Sequence, residues 1–392
     1  MRNRDGRAAR ILYLDHAPIW GGAEAVLVNL LPHLDPQQFL PLVATAPASP
    51  LAQRLADSET AVLPVPLDTL NRAGWRLPLH LAQSVTAVAR LIRHHHIALI
   101  HTNTVRAHIV GSLAGWLTRT PVIWTLHDNT IPPRLVRLLA SIPRQVIAVS
   151  GWLAAAYAPA GLAGKLTVIP NGLSQINPPA DATAVRAELG IPPHAPLILN
   201  VGRLVAGKAP HLFIQAAERV ATRHADAHFV LVGGADDGQP TAQTAAYDQL
   251  LAQTVAQSPL GSRLLLTGPR PDALRFFAAA DVCVYNAVLP EGLPTVLLEA
   301  MVLAKPTVAS AIGGALEIVV DGVTGLLAAP GSPGELADKI IALLDNPAQM
   351  RRMGQAGLAR AQEEFDLAKQ AAATAVLYQQ ILTTPSQEKT PS

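Results

Sequence analysis

Cysteine is almost absent from this sequence, with a single residue, Cys283, in 392. One thiol excludes a disulfide scaffold, and it also excludes a metal site built from several cysteines. Cys283 lies inside an apolar segment, so we expect a small buried hydrophobic side chain rather than a catalytic nucleophile. Half of the residues are apolar, which is ample for the cores of two or three domains in a chain of this length.

Charged residues and long apolar runs are also scarce. Charged residues make up 15% of the chain against 50% hydrophobic residues, a balance that excludes a disordered chain. No apolar run approaches the length of a membrane-spanning helix. The apolar run from Ile11 to Leu14, after a basic start, is too short for a signal peptide. We therefore expect a cytoplasmic protein.

The small net charge is unevenly divided along the chain. Residues 1–175 have a net charge of +7 and residues 176–392 a net charge of −5. A basic first half suits an anionic partner, such as a membrane surface or a phosphorylated acceptor. Scattered arginines on a solvated surface explain the same count, and both interpretations stay open.

Two common site patterns are missing or misleading. No G-x-G occurs in the chain, so the dinucleotide fingerprint of a dehydrogenase is absent. The three adjacent histidines at 94–96 cannot all face one metal from a helix. We expect them to form the polar end of a helix, where they suit its dipole, and we predict no metal site.

Short apolar segments alternate with helical patterns along both halves of the chain, which predicts parallel sheets covered on both faces. A proline-rich stretch, residues 174–195, separates the two halves and is a candidate linker. We predict a first domain over residues 1–174 and a second over residues 175–365. A helix over residues 366–382 is expected to return to the first domain, and residues 383–392 are expected to form a disordered tail.

The segment from Ala280 to Glu317 organises the second half. An apolar strand, Val282 to Tyr285, precedes a proline and glycine loop, and a helix is predicted from Thr295, which can cap it, to Leu303. A helix start after such a loop offers free N–H groups and a positive dipole end to phosphate. Carboxylates at Glu291 and Glu299 can accept hydrogen bonds from hydroxyls. The segment therefore predicts a pocket for a phosphorylated, hydroxyl-rich ligand.

The sequence E-G-L-P-T-V-L-L-E-A-M over residues 291–301 resembles the E-x7-E signature of retaining nucleotide-sugar glycosyltransferases of family 4. Lys305-Pro306 and the turn over residues 313–317 fit the same pattern, and the resemblance extends from Gly21 to about Phe365. It implies the α/β GT-B fold, in which two Rossmann-like parallel-sheet domains face each other across a cleft.

A basic loop follows the first predicted strand of the second half. Gly202 to Ala209 matches G-x4-G-K of a P-loop, but Ala209 stands where the Mg²⁺-binding Ser or Thr belongs. No aspartate follows the strand His228 to Gly233 to help hold the metal. By the resemblance, Arg203 and Lys208 contact the nucleotide diphosphate instead. The family usually has glycine at position 209, and we expect its replacement by alanine to have little effect.

His127 lies at the carboxyl end of a predicted strand, where ligands of open α/β sheets bind. The resemblance places it near the donor sugar, Glu291 on the sugar hydroxyls and Glu299 on the ribose. The predicted catalytic residues are His127, Arg203, Lys208 and Glu291. The predicted donor-binding residues are Gly21, Gly22, Gly268, Pro269, Arg270, Leu293, Pro294, Thr295 and Glu299.

The resemblance implies transfer of a sugar from a nucleoside diphosphate sugar to an acceptor hydroxyl, with retention at the anomeric carbon. Positioning and stabilisation of leaving-group charge would supply the catalysis, with no cofactor and no required metal. We expect a sugar or lipid-linked acceptor, in polysaccharide or glycolipid synthesis. We also expect peripheral contact with the inner membrane face through the basic domain, and no nucleic-acid partner. A GT-B nucleotide-sugar epimerase, a non-catalytic nucleotide-sugar binding protein and a P-loop NTPase are the alternatives.

Overall fold

The computed structural model describes residues 8–67, 74, 76–162, 164–174, 182–234 and 242–384. The chain divides into two compact units. The first comprises the chain up to Gly172 together with the helix that begins at Leu367, and the second comprises Leu173–Asp366. Each unit is built around its own parallel sheet.

The first unit contains a seven-stranded parallel sheet with strand order β3-β2-β1-β4-β5-β6-β7. Most residues of the central strands are apolar and buried, because helices cover both faces. The strands are β1 (Ala9–Leu14), β2 (Phe39–Thr45), β3 (Ala61–Pro64), β4 (Leu99–Thr102), β5 (Val122–Leu126), β6 (Gln145–Ala148) and β7 (Leu166–Val168). The helices are α1 (Gly22–Leu30), α2 (Pro50–Leu55), α3 (Leu77–His94), α4 (Val105–Thr118), α5 (Pro133–Leu139) and α6 (Gly151–Ala156).

The C-terminal helix, Leu367–Thr383, packs into the core of this first unit. The Tyr378 hydroxyl lies 2.6 Å from the Tyr13 hydroxyl on β1 and 2.5 Å from Nδ1 of His101 on β4. The Gln370 side chain accepts a hydrogen bond from the backbone N–H of Gly172 at 2.8 Å. Buried polar contacts of this kind fix the helix in one register because an unpaired partner would be costly.

The second unit contains a six-stranded parallel sheet with strand order β10-β9-β8-β11-β12-β13. Its strands are β8 (Leu197–Val201), β9 (His228–Val232), β10 (Leu264–Leu266), β11 (Val282–Tyr285), β12 (Thr307–Ser310) and β13 (Gly325–Ala328). Its helices are α7 (Ala182–Glu188), α8 (Pro210–Ala221), α9 (Ala242–Gln257), α10 (Ala273–Ala279), α11 (Thr295–Val302), α12 (Ala315–Ile318), α13 (Pro333–Leu344) and α14 (Pro347–Glu364).

The predicted α/β class with two parallel Rossmann-like sheets is confirmed. The short elements α2, α12 and β13 escaped prediction because four to six residues show too little periodicity. Residues 175–181 of the candidate linker and residues 385–392 of the predicted tail lie outside the described residues. Within the linker region, Ala182–Glu188 form α7, whose Arg186 pairs with Asp281 of the second unit at 2.7 Å. Among the described residues no helix is both long and apolar enough to cross a membrane.

Candidate functional site

Both sheets have a switch point, which is the place between two neighbouring parallel strands where the strand order reverses. It lies between β1 and β4 in the first unit and between β8 and β11 in the second. Crossovers leave a switch point on opposite faces of the sheet, so a crevice opens beyond the carboxyl ends of its two strands. His127 is linked to the first switch point through Asn103, and Lys208 and Glu291 meet at the second.

Three polar side chains form a chain at the carboxyl edge of the first sheet. His127, just after β5, places Nε2 2.7 Å from Oδ1 of Asn103, just after β4. The Asn103 amide nitrogen donates to Oδ2 of Asp15, just after β1, at 2.8 Å. The other carboxylate oxygen of Asp15 accepts from the backbone N–H of Ala17 at 2.7 Å. Asp15 is completely buried, so this hydrogen-bonded chain has a fixed anchor.

This chain assigns the tautomer of His127. The Asn103 amide nitrogen faces two acceptors, Asp15 Oδ2 and the Ala23 carbonyl at 3.4 Å, so its oxygen must face His127. Nε2 of His127 therefore carries the proton and donates it to Asn103, which leaves Nδ1 as an acceptor. Burial lowers the pKa of His127 to about 4, so the imidazole is neutral near pH 7. A neutral imidazole with a free acceptor nitrogen suits a sugar hydroxyl.

Gly21 and Gly22 lie at the start of α1, on the same edge of the first sheet. Gly21 is the N-cap of this helix, and a Cβ there would lie 3.0 Å from a carboxylate oxygen of Glu24. The structure links this helix start to His127 through Asn103, which contacts the Ala23 carbonyl. The cavity that His127 lines is also lined by Gln370 and Thr374 of the C-terminal helix.

A cation and a carboxylate meet at the switch point of the second sheet. Lys208, in the loop after β8, forms an ion pair between Nζ and Oε1 of Glu291, after β11. The Tyr285 hydroxyl donates to the same oxygen at 2.7 Å, and the Lys208 ammonium lies 5.1 Å from the Tyr285 ring centroid. Lys208 and Glu291 are each only partly buried, so a ligand can reach both charges.

The loop that leads into α11 is shaped by a glycine pair on the neighbouring turn. Gly314 donates its N–H to the Glu291 carbonyl at 2.9 Å, and a Cβ on Gly314 would lie 1.9 Å from the Gly292 carbonyl oxygen. A Cβ on Gly313, whose φ is +60°, would lie 2.7 Å from the Glu291 carbonyl oxygen. Only glycine allows this close approach, so the pair fixes the backbone beside the Glu291 carboxylate.

The start of α11 differs from the prediction. Thr295 is the first helical residue rather than the cap, and the N-cap is Pro294, which has no side-chain acceptor for the first-turn N–H groups. Leu293 and Pro294 are buried and Thr295 is half-buried. Within the described residues no side chain caps this first turn, so the positive end of the helix dipole stays open to a phosphate.

Glu299 lies in the second turn of α11 and is half-buried. Burial raises the pKa of its carboxyl group to about 7. Within the described part of the chain, no hydrogen bond or ion pair engages this side chain. A half-buried carboxylate without a protein partner can accept hydrogen bonds from ligand hydroxyls.

Among the residues that the structure describes, the remaining predicted residues of the second unit, Arg203 and Gly268 to Arg270, do not form a contact with one another as direct as the Lys208–Glu291 pair. Arg203 is exposed in the loop after β8. The Gly268 carbonyl accepts from the Gly233 N–H at 3.0 Å, and Pro269 packs on Gly234. The guanidinium of Arg270 is already engaged, because it forms ion pairs with Asp272 at 2.9 Å and with Glu188 at 2.8 Å. The pKa of Asp272 falls well below its usual range through this contact.

Two family models match this chain, one in each half. The family model of Glycosyltransferase Family 4 matches residues 20–174, and that of Glycosyl transferases group 1 matches residues 181–360. The chain is 30% identical over 289 residues to the D-inositol 3-phosphate glycosyltransferase of Kribbella flavida, an alignment covering 67% of each chain. The chain belongs to the glycosyl transferases group 1 family. The family predicted from residues 291–301 is thereby confirmed.

Other relatives of this glycosyltransferase agree on family and fold. The alpha-maltose-1-phosphate synthase of Mycobacterium tuberculosis is 34% identical over 210 residues, 52% of each chain. The matches thus span between about half and two thirds of these curated relatives' lengths. The crystal structure of Anabaena HepE with UDP-glucose has a TM-score of 0.82 and 28% identity, covering 95% of this glycosyltransferase and 99% of HepE.

Sequence reasoning missed several polar residues of this glycosyltransferase that organise the two crevices. Each of them lies within two residues of the carboxyl end of a strand. They are Asp15, Asn103, Asn200, Tyr285 and Asn286. Their signal is a polar side chain closing an apolar strand. That signal locates an edge of the sheet, but it does not reveal which side chains hydrogen bond to one another.

Glu299 should make the stability of the protein depend on pH. Its pKa in the folded state, about 7, exceeds the ordinary value of 4.5, so between these pH values the folded state binds the proton that the unfolded state has lost. The stabilisation is complete below pH 4.5 and is lost as pH rises through 7, by at most about 3 kcal/mol. The measurement is the thermal midpoint of wild type and Glu299→Gln between pH 5 and 8.

The Glu299→Gln variant should lose less stability than wild type over this range, since it has no carboxyl proton to release. Exposed Glu364 at the end of α14 provides the matched control, and Glu364→Gln should keep the wild-type slope. Equal slopes for wild type and Glu299→Gln would contradict the raised pKa.

Proposed function

We propose that this glycosyltransferase moves a glucosyl group from UDP-glucose to an acceptor hydroxyl with retention of anomeric configuration. The observation that carries the proposal is the Lys208–Glu291 pair beside the uncapped start of α11. It supplies a cation for diphosphate, a carboxylate for sugar hydroxyls and free N–H groups within one crevice. UDP-glucose is favoured over other donors because HepE, which is similar over almost its whole length, was crystallised with it.

Leaving-group stabilisation is the main chemical step that these residues can provide. As the sugar–phosphate bond breaks, negative charge grows on the departing diphosphate, and Lys208 and exposed Arg203 supply positive charge there without a metal. Glu291, released from Lys208 by the incoming diphosphate, remains hydrogen-bonded to Tyr285 and turns its carboxylate to the sugar hydroxyls. Glu299 accepts hydrogen bonds from the ribose.

Retention of configuration rests on the resemblance of residues 291–301 to the retaining families. In that mechanism the diphosphate leaves and helps to deprotonate the acceptor hydroxyl on the same face of the sugar. No step requires a protein carboxylate as nucleophile, in contrast to retaining glycoside hydrolases. Catalysis then depends on holding donor and acceptor in place, which the fixed crevices favour.

A thermal-shift screen tests the donor first. UDP, GDP, ADP, ATP and the corresponding sugar nucleotides are added with and without EDTA. A ligand that binds only the folded state at one hundred times its Kd stabilises it by about 2.7 kcal/mol. We expect UDP and UDP-glucose to raise the midpoint, with EDTA causing no change. A shift with ATP and Mg²⁺ alone would replace the proposal by the NTPase alternative.

Product analysis tests the reaction. Incubation of the protein with UDP-glucose and a panel of sugar and lipid-linked acceptors should release UDP and give an α-linked product by NMR. A β-linked product would contradict retention. A new sugar nucleotide formed without acceptor would identify an epimerase, and binding without any turnover would identify a non-catalytic binding protein.

Peripheral contact with an anionic membrane is part of the proposal. On α5, Arg134 and Arg137 are exposed beside Leu135 and Leu138, which are 42% and 66% exposed, while Val136 faces the core. Exposed leucines between arginines suit the surface of an anionic bilayer. We expect the protein to sediment with vesicles of anionic lipid at low salt. Arg134→Glu/Arg137→Glu should abolish this, and equal sedimentation of the variant would contradict the contact.

A further inference from the structure

Ala209, the residue after Lys208, has an unusual backbone. Its φ and ψ are 49° and 48°, in the left-handed region that disfavours residues with a Cβ. It is completely buried and is the N-cap of α8, where Pro210 occupies the first helical position. Alanine at position 209 therefore carries a backbone cost that other contacts can offset, and the expectation that it has little effect stays a prediction.

Asn286, just after β11, supplies the offsetting contact. Its side-chain nitrogen donates to the Ala209 carbonyl at 2.7 Å, and its side-chain oxygen accepts from the Asn200 amide at 2.7 Å. The Asn200 nitrogen also donates to the Val284 carbonyl at 3.2 Å, which fixes the orientation of both amides. Both asparagines are buried, so neither hydrogen bond is readily replaced by water.

The same segment holds the other side of the Lys208 turn. Val288 and Leu289 both donate their backbone N–H groups to the Gly207 carbonyl, at 2.9 and 3.3 Å. A Cβ on Gly207 would lie 3.0 Å from the Leu289 side chain. The segment after β11 thus hydrogen bonds to the residues on both sides of Lys208, Gly207 and Ala209, before it continues to Glu291.

We propose that Asn286 is a positioning residue that holds Lys208 at the diphosphate position by securing the left-handed backbone of Ala209. The inference rests on the proposed role of Lys208. Asn286 contacts no reacting atom in this role. It acts because the residues after β11 set where the Lys208 side chain leaves the backbone, and they set the position of Glu291 in the same way.

The test is UDP binding by calorimetry and UDP-glucose kinetics for four variants. Asn286→Ala should weaken UDP binding about tenfold and raise KM for UDP-glucose similarly. Asn286→Asp should be worse, because a carboxylate oxygen would face the Ala209 carbonyl without a proton to donate. Ala209→Gly alone should bind UDP like wild type. Glycine adopts positive φ freely, so Ala209→Gly in the Asn286→Ala protein should restore binding to within about threefold of wild type.

Rescue separates positioning from general destabilisation. Asn346 is the matched control, since its side chain caps α14 by accepting from the Gln349 N–H at 3.0 Å. Asn346→Ala should lower the thermal midpoint and leave UDP binding unchanged. If Asn286→Ala does not fold, the double variant is compared with Ala209→Gly, and the two should bind UDP alike.

The outcomes are distinct. Wild type that binds no nucleoside diphosphate would overturn the proposed function, and the role of Asn286 with it. Wild type that binds UDP, with Asn286→Ala binding equally well, would overturn the positioning role alone. Loss of binding in Asn286→Ala that Ala209→Gly does not restore would also overturn it, because the backbone at residue 209 would then not be the cause.

Discussion

Replacing Lys208 with alanine is expected to lower kcat for UDP-glucose roughly 100- to 1,000-fold, a loss of about 3–4 kcal/mol of transition-state stabilisation. The ammonium group meets charge that grows only as the diphosphate leaves, so kcat should fall more than KM rises. The variant should stay folded, because Glu291 keeps its hydrogen bond from Tyr285. Steady-state kinetics with released UDP as the readout provide the measurement.

Arg223 offers a matched control for the loss of a cation in the same unit. It pairs with Asp345 at 2.8 Å on the surface, and its side chain is 62% exposed. Exposed pairs of this kind contribute little, so Arg223→Ala should keep wild-type kinetics. A Lys208→Ala enzyme with kcat within about threefold of wild type would remove Lys208 from the mechanism.

Replacing His127 with alanine is expected to lower kcat/KM about 100-fold. The donor sugar would lose its hydrogen bond to the neutral imidazole, and the Asn103 side-chain oxygen would lose its donor in a buried setting, together about 2–3 kcal/mol. Asp15→Asn should cost about tenfold, because an amide in place of the carboxylate allows Asn103 to turn over and to present its nitrogen to His127. The measurement combines kinetics with ¹⁵N NMR of the imidazole.

The tautomer is the specific readout of this second prediction. In wild type, Nε2 of His127 should be protonated and Nδ1 should not, and Asp15→Asn should disturb that ratio. Exposed His33 is the control, and His33→Ala should leave kinetics unchanged. Unchanged kinetics and an unchanged imidazole spectrum in Asp15→Asn would show that the buried carboxylate does not act on His127.

Much of the fold followed from the sequence because parallel strands are buried on both faces and appear as continuous apolar runs. The strand from Val282 to Tyr285 was predicted with its observed bounds. Helix ends were less accurate, as at Thr295, because proline and threonine are both common at helix starts and only the local backbone decides between them. Short elements such as β13 carry too few residues for a period to show.

The sequence by itself determined the family of this protein, its two parallel sheets and the order in which Lys208, Glu291 and Glu299 occur along the chain. These features depend on local runs and spacing, which a linear chain displays directly. Only the tertiary structure decided that Glu291 pairs with Lys208, that Asp15 reaches His127 through Asn103, and that Asn286 hydrogen bonds to Ala209. Asp15 and Asn103 are 88 residues apart in the sequence, and Ala209 and Asn286 are 77 apart. The order of the strands in each sheet brings these partners together.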